Sequence, residues 1–188
     1  NTVSLRVNSP ISFEGFKVEL NFLLQRYKIK YMYNYIYKTP KQFSNILLTS
    51  DGEFLTGLCF INTSKGSDNT SLPIFKETIK WLDIYFSGNI PNFIPKYKLD
   101  SLTSFQKEVL EITKNIPYGK IITYKEIADT IAKRKNIKKM SAQAVGQALK
   151  HNPICIIIPC HRVIGSNNKL TGYNGGINNK IELLKLEK

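Results

Sequence analysis

The sequence predicts an α/β protein of two lobes, a small antiparallel sheet with one helix followed by a mostly helical C-terminal lobe with a helix-turn-helix. Three observations carry this. Two β-rich runs flank Asp51-Gly52 in FSNILLTSDGEFLTGLCFIN (43–62), a strong hairpin signal. Two capping boxes, Thr103-Ser-Phe-Gln106 and Thr123-Tyr-Lys-Glu126, each open a helical run in the second half. The basic stretch KRKNIKK (133–139) then leads into a small-residue helix, SAQAVGQALK (141–150), as a helix-turn-helix would.

Residues 1–31 read as a weakly patterned leader or extension, and the ordered unit is expected to begin near Met32. Alternating aromatics in YNYIYKTP predict a first strand, and the hairpin supplies two more. Residues 62–71 form a polar loop. Helical spacing of Ile74, Phe75, Ile79, Leu82, Tyr85 and Phe86 predicts a helix from Pro73 to Phe86, closed by Gly88. Two prolines mark 88–99 as the linker, which divides the chain into lobes at 32–98 and 99–188. Beyond it, a helix runs to about Lys114, Ile116-Pro-Tyr-Gly119 makes a turn, and Lys120–Ile122 is a short extended piece. A second helix reaches about Ala132. The third stops before Asn152-Pro153, because the residue preceding proline is pushed out of helical geometry. An apolar strand, ICIII (154–158), then runs into Pro159.

Composition narrows the function classes. The chain has 188 residues with 42% hydrophobic side chains, enough for a real core, which rules out wholesale disorder. Its formal charge is +13, and residues 101–188 hold 15 basic against 6 acidic side chains. Such a bias points to a polyanion, either nucleic acid or an anionic membrane surface. Three cysteines (Cys59, Cys155, Cys160) are too few for a disulfide framework, so a reducing compartment is expected. No signal peptide pattern is evident, and the longest apolar run is far too short to span a bilayer.

The informative stretch is ICIIIPCHRVIG (154–165). Buried cysteines are usually inert, and Cys59 and Cys155, inside apolar runs, take that reading. Cys160 differs: it follows a strand end, abuts His161, and has Arg162 beside it to favour the thiolate. The rival use is a metal site from Cys155, Cys160, His161 and His151, but no Cys-x2-Cys pair supports it.

NPICIIIPCHRVI resembles the signature of the O6-alkylguanine-DNA alkyltransferases, direct-reversal DNA repair proteins with a PCHR core. IPYGKIITYKEIA (116–128), AVGQALKHNP (144–153), GYNGG (172–176) and ELLKLE (182–187) stand in the family's order. The resemblance covers residues 100–188 strongly, and roughly 33–99 as the family's variable N-terminal lobe. It implies a ribonuclease H-like roll for that lobe and irreversible transfer of an alkyl group, mainly methyl, from O6 of a flipped guanine to Cys160, one molecule per lesion.

The resemblance also assigns roles. Cys160 is the nucleophile and acceptor, and His161 draws off the thiol proton through a water. Glu187 orients His161, where the pattern alone makes it a solvated residue of a frayed helix end. Asn152 is the hinge between the recognition helix and the cysteine loop. Tyr124 packs beside the extruded nucleotide, and Tyr173 forms a wall of the pocket. The carbonyls of Cys160 and Val163 accept from the guanine amine, the Asn174 N–H donates to O6, and Lys180 stands at the rim. For Lys180 a solvated helix lysine is the plainer reading. The DNA face is expected from Ser141, Ala142, Gln143, Ala144, Gly146, Lys150 and Arg162, with small residues letting the helix approach the minor groove. Gln143 departs from the family, many members of which place there an arginine that fills the gap left by the flipped base. The implied partner is double-stranded DNA and not a membrane, the implied state a monomer, and the place the cytoplasm, or the nucleus in a eukaryote. No metal or other cofactor is implied, since the zinc ligands some members carry are unmatched.

Three other classes compete. A recognition-only module of the alkyltransferase-like kind lacks the cysteine, so Cys160 argues against it. A helix-turn-helix regulator that uses Cys160 as a sensor ordinarily needs a further domain, and a cysteine hydrolase needs an oxyanion loop that is not visible.

Overall fold

The computed structural model describes residues 32–63 and 71–188. The expected leader at 1–31 and most of the 62–71 loop lie outside the described residues. Strands β1 (Tyr33–Tyr37), β2 (Asn45–Ser50) and β3 (Leu55–Ile61) form an antiparallel sheet in that order. Register runs from Tyr33 opposite Ser50 to Tyr37 opposite Ile46, and from Asn45 opposite Ile61 to Ser50 opposite Leu55, with an irregularity at Thr49/Ser50. The hairpin turn is built as its residues dictate. Asp51 Oδ1 accepts the Phe54 N–H at 2.8 Å, and Gly52 takes a φ of +103° that a side chain would resist.

Alternation along β2 buries Ile46, Leu48 and Ser50 on one face, and α1 (Pro73–Phe86) contributes Ile74, Phe75, Trp81, Leu82 and Tyr85 to the same core. Each fully buried aliphatic side chain there contributes about 1.5–3 kcal/mol. The proline-bearing segment after α1 returns to the sheet, where the Leu55 N–H donates to Lys96 O and the Lys98 N–H to Leu55 O.

Helices α2 (Ser104–Lys114), α3 (Tyr124–Arg134), α4 (Ala142–Lys150) and α5 (Ile177–Leu186) make up the C-terminal lobe. Both capping boxes form in full, with Thr103 and Gln106 capping α2 reciprocally and Thr123 and Glu126 capping α3. Helix α3 runs on to Arg134, a little past the expected end, before Asn136 turns the chain with a φ of +52°. Ser141 caps α4 by accepting the Ala144 N–H. One hydrophobic core runs through the sheet, α1 and these helices, with Val109, Ile127, Ile131, Val145 and Leu149 at its C-terminal end.

The expected strand at 154–158 does not form. Ile154 and Cys155 instead bridge Leu58 and Ile158 singly, and the chain turns tightly at Ile156 with a φ of +69°. A β-branched residue in that region costs about 1–3 kcal/mol and persists only where its surroundings fix it. Burial on every side does so here, since Ile154, Cys155, Ile156, Ile157 and Ile158 are all in the core. An apolar run signals burial, not extension. The strand in this region comes later, β5 (Val163–Ile164), paired in parallel with β4 (Ile122–Thr123).

Candidate active site

Asn152, fully buried at the end of α4, organises the loop that carries Cys160. Its Oδ1 accepts the Ile154 N–H at 3.0 Å, while Nδ2 donates to Ile158 O at 2.9 Å and lies 3.0 Å from the Cys160 sulfur. Helix termination, through its backbone N–H on Leu149 O, and turn formation and thiol contact, through its side chain, therefore converge on one residue. After Pro159 the residues Cys160–Arg162 form a single 3-10 turn.

This turn sends His161 and Arg162 toward Glu187 at the end of α5. The Glu187 carboxylate is almost wholly buried and accepts from His161 Nε2 (2.9 Å), Arg162 Nε and Nη2 (2.8 Å each), the Tyr85 hydroxyl (2.6 Å) and the Gly119 N–H (3.3 Å). Burial alone would raise its pKa, but the hydrogen bonds from His161 and Arg162 outweigh that and hold it well below the usual carboxylate range. Burial lowers the pKa of His161 despite Glu187, so the ring is neutral, with Nε2–H donating to the carboxylate. The other nitrogen, Nδ1, is buried with no protein partner, and is the atom able to take a proton.

The Arg162 guanidinium is committed to Glu187 and, through Nη1, to Ile116 O at 2.6 Å. Its expected roles beside the thiolate and on a DNA surface are therefore both corrected: its charge is matched inside the protein. The cation that helps Cys160 is Lys180. The solvated-helix reading of Lys180 is corrected: it is buried, donating to Val163 O (2.6 Å) and Thr171 O (3.1 Å), with its pKa pushed down to about 8 by burial. A hydrogen bond from Cys155, the Asn152 amide and the Lys180 charge lower the Cys160 pKa against the opposing effect of burial.

Cys160 opens on a cavity of about 450 Å³. Tyr124, Gly146, Lys150, Gly172, Tyr173 and Asn174 are among its lining residues. Tyr124, at the start of α3, reaches across to Gly172 O, and Tyr173 packs edge-on against Phe60 and His161. A Cβ at Gly175 would lie 2.6 Å from both the Phe60 and Tyr173 rings, so this turn admits no side chain without moving the pocket wall. Cys160 lines the cavity, whereas Val163 is fully buried and not among its lining residues; their carbonyls each already accept one bond, from the Val163 N–H and Lys180 Nζ respectively. Each retains a second lone pair.

The family description "6-O-methylguanine DNA methyltransferase, DNA binding domain" matches residues 104–188. A methylated-DNA–protein-cysteine methyltransferase of Methanosarcina acetivorans is 42% identical over 83% of this chain and 98% of its own length. This chain belongs to the methylated-DNA–protein-cysteine methyltransferase family. A Haemophilus influenzae relative of the same name is 35% identical over 79% of this chain and 83% of its own. Among solved structures, Mycobacterium tuberculosis OGT in complex with DNA superimposes with a TM-score of 0.70 at 37% identity, covering 82% of this chain and 91% of that one.

In this methyltransferase the exposed side of α4 borders the cavity. Ala142, Gln143, Gly146 and Lys150 line it, while Ser141 and Ala144 stand at the helix start outside it. A Cβ at Gly146 would meet the Tyr124 ring at an ordinary 3.7 Å, so internal packing does not demand glycine there. Gln147, Ser166 and Thr171 also line the cavity, and no sequence signal singled them out. Tyr85 was likewise readable only as a core aromatic, although its hydroxyl ties α1 to Glu187 across 102 residues of chain.

Proposed function

We propose that this protein repairs DNA by taking an alkyl group, mainly methyl, from O6 of guanine onto Cys160, once per molecule. The observation that carries this is the Cys160 sulfur itself. It opens on a cavity roomy enough for a nucleobase, is held by Asn152, carries a lowered pKa, and stands beside a neutral histidine backed by Glu187. The Cys160 proton passes through a water to His161 Nδ1, since neighbouring side chains do not face each other. The thiolate attacks the alkyl carbon in line, the C–O6 bond breaks as the C–S bond forms, and the purine leaves with the electron pair and takes up one proton. A thioether has no good leaving group, so the protein is consumed.

The base reaches the cavity by flipping from a duplex bound on its minor-groove side to α4, with the protein acting as a monomer in the cytoplasm. Residues 99–188 supply both DNA face and thiol, and residues 32–98 brace Glu187 through Tyr85. The Asn174 N–H serves O6, and the second lone pairs of the Cys160 and Val163 carbonyls serve the exocyclic amine. Among the described residues no helix is long and apolar enough to cross a membrane.

Mixing the protein with a slight excess of duplex carrying one O6-methylguanine tests this. A single methyl on the Cys160 peptide, with guanine restored and no second turnover, is the expected result. Tight lesion binding without a mass change would overturn it.

Gln143 bears on the flipping step. It is exposed on the cavity border but carries no charge and stacks less well than a guanidinium. Gln143→Arg is expected to speed methyl transfer from duplex DNA about two- to fivefold, the worth of one exposed cation–π contact. Transfer from the free base, which needs no flipping, should be unchanged, and single-turnover rates on the two substrates make the comparison.

A further inference from the structure

Cys59 and Cys155 read as inert in the sequence, but the fold lines them up with Cys160. The Leu58 N–H donates to Pro153 O at 2.7 Å and the Cys155 N–H to Leu58 O at 2.8 Å, which sets β3 beside the cysteine loop and Cys59 beside Cys155. The Cys59 thiol donates to Pro153 O at 3.5 Å, and the Cys155 thiol faces Asn152 O at 3.9 Å. The amide of the same Asn152 holds the Cys160 sulfur at 3.0 Å. Both other thiols act directly on the Cys155 thiol and push its pKa up, as only close neighbours can. The sulfurs thus follow one another from the cavity to a half-buried position on β3, with Cys160 first, Cys155 between, and Cys59 outermost. Among the described residues no three His, Cys, Asp or Glu side chains gather as a metal site, so the arrangement is a row and not a cage.

We propose that Cys155 and Cys59 form a thiol relay that returns Cys160 to its reduced state after attack by a hydroperoxide, ending as a Cys59–Cys155 disulfide. The inference rests on Cys160 being the reactive thiol of the proposed function. The Cys160 thiolate attacks the O–O bond of the peroxide, gaining one oxygen as sulfenic acid while the other departs as water. Cys155 attacks the Cys160 sulfur, its proton going to the departing hydroxide, so that a Cys155–Cys160 disulfide and a second water form. Cys59 then attacks the Cys155 sulfur, its nearer neighbour, and the electron pair of the breaking S–S bond leaves on Cys160. In sum, one hydrogen peroxide and the thiols of Cys59 and Cys155 give one disulfide and two waters.

Cys155, whose pKa its neighbours Cys160 and Cys59 and its burial push well up, attacks as a thiol that gives up its proton in the step, while the acidity of the other two suits their places. Cys59, whose pKa the adjacent Cys155 lowers to about 7, is near the optimum for an attacking thiol at neutral pH. Cys160, whose thiolate Cys155, Asn152 and Lys180 favour, is a good leaving group. Cys59 is also the most accessible of the three, where an external thiol can reset the relay.

The test exposes the whole protein to stoichiometric hydrogen peroxide, caps free thiols with iodoacetamide, maps the peptides, and measures remaining methyl-transfer capacity relative to each protein's own untreated value. The wild type should show a Cys59–Cys155 disulfide, a cappable Cys160 and most of its capacity. Cys59→Ser should stop at a Cys155–Cys160 disulfide, inactive until dithiothreitol is added. At one equivalent Cys155→Ser should lose most of its capacity, with Cys160 held as the sulfenic acid, and a further equivalent should carry it to the sulfinic acid. Disulfide peptides lacking Cys155, or equal loss of Cys160 in all three proteins, would overturn the relay. If Cys155→Ser does not fold, the Cys59→Ser disulfide map decides alone. Failure of methyl transfer itself would show before any peroxide is added, so the two readings fail separately.

Discussion

Replacing Glu187 by glutamine is expected to slow methyl transfer by about 100-fold or more, in the range of a general base left unoriented, and to destabilise the fold by about 3–5 kcal/mol. The carboxylate is the only counter-charge contacting the buried Arg162 guanidinium among the described residues, and it meets that group through both oxygens. Glutamine keeps the shape but removes the charge, and presents an NH2 group where Arg162 and His161 both need an acceptor. The cost is that of an unpaired buried cation, far beyond one lost hydrogen bond of about 1 kcal/mol. A kinetic effect without a stability effect, by single-turnover rates and denaturant unfolding, would show that Arg162 finds compensation elsewhere.

The same network gives stability a definite dependence on pH. Glu187 has a folded pKa below its unfolded value, so its contribution is present above about pH 4.3 and is lost as pH falls from there toward the folded value. His161 is buried neutral, and its folded pKa is also depressed. Below about pH 6.5 the unfolded chain takes a proton that the folded one refuses, which again weakens the fold as pH falls. Both slopes therefore have one sign: unfolding free energy should decline from neutrality downward, first through His161 and then more steeply as Glu187 joins it, by up to about 1.4 kcal/mol per pH unit for each proton. In the Glu187→Gln protein the lower stage should disappear. Urea midpoints across this range measure it.

What could be read from the sequence was whatever neighbouring residues decide. The two capping boxes, the Asp51-Gly52 turn and the proline stop after Asn152 are local devices, and each forms where its residues stand. The Cys-His pair after Pro159 was likewise legible as chemistry, because a thiol beside an imidazole needs no distant partner to be recognised. Local reading failed at Ile154–Ile158, where an apolar run is equally good material for a strand or a buried turn, and only contact with Leu58 decides. It failed at Arg162, whose charge looked free because its carboxylate lies 25 residues away. It failed again at Lys180, an ordinary helix lysine until α5 packs against Val163. Tyr85 and the neighbours of Cys155 belong to the same class of long-range pairings.

Gly119→Ala should be nearly as damaging as Glu187→Gln, lowering stability by about 2–4 kcal/mol and the thermal midpoint by roughly 5–15 °C. Gly119 sits in the turn closed by the Lys120 N–H on Pro117 O, at a φ of +71°. A side chain there carries the left-handed penalty of about 1–2 kcal/mol. The added Cβ would also lie 2.7 Å from the Glu187 carbonyl oxygen, backbone against backbone, with no rotamer to relieve it. Either the turn or the end of α5 must move, and the Gly119 N–H on Glu187 Oε2 goes with it. Gly88 separates the two costs. At a φ of +82° with nothing within 4 Å of an added methyl, Gly88→Ala meets the conformational penalty alone. The difference between the two variants is therefore the clash, and only Gly119→Ala should also slow methyl transfer, by about tenfold or more, because displacing Glu187 displaces His161. Equal losses in both would mean that α5 yields freely at its end, and that the position of Glu187 is set by Arg162 and Tyr85 rather than by the turn.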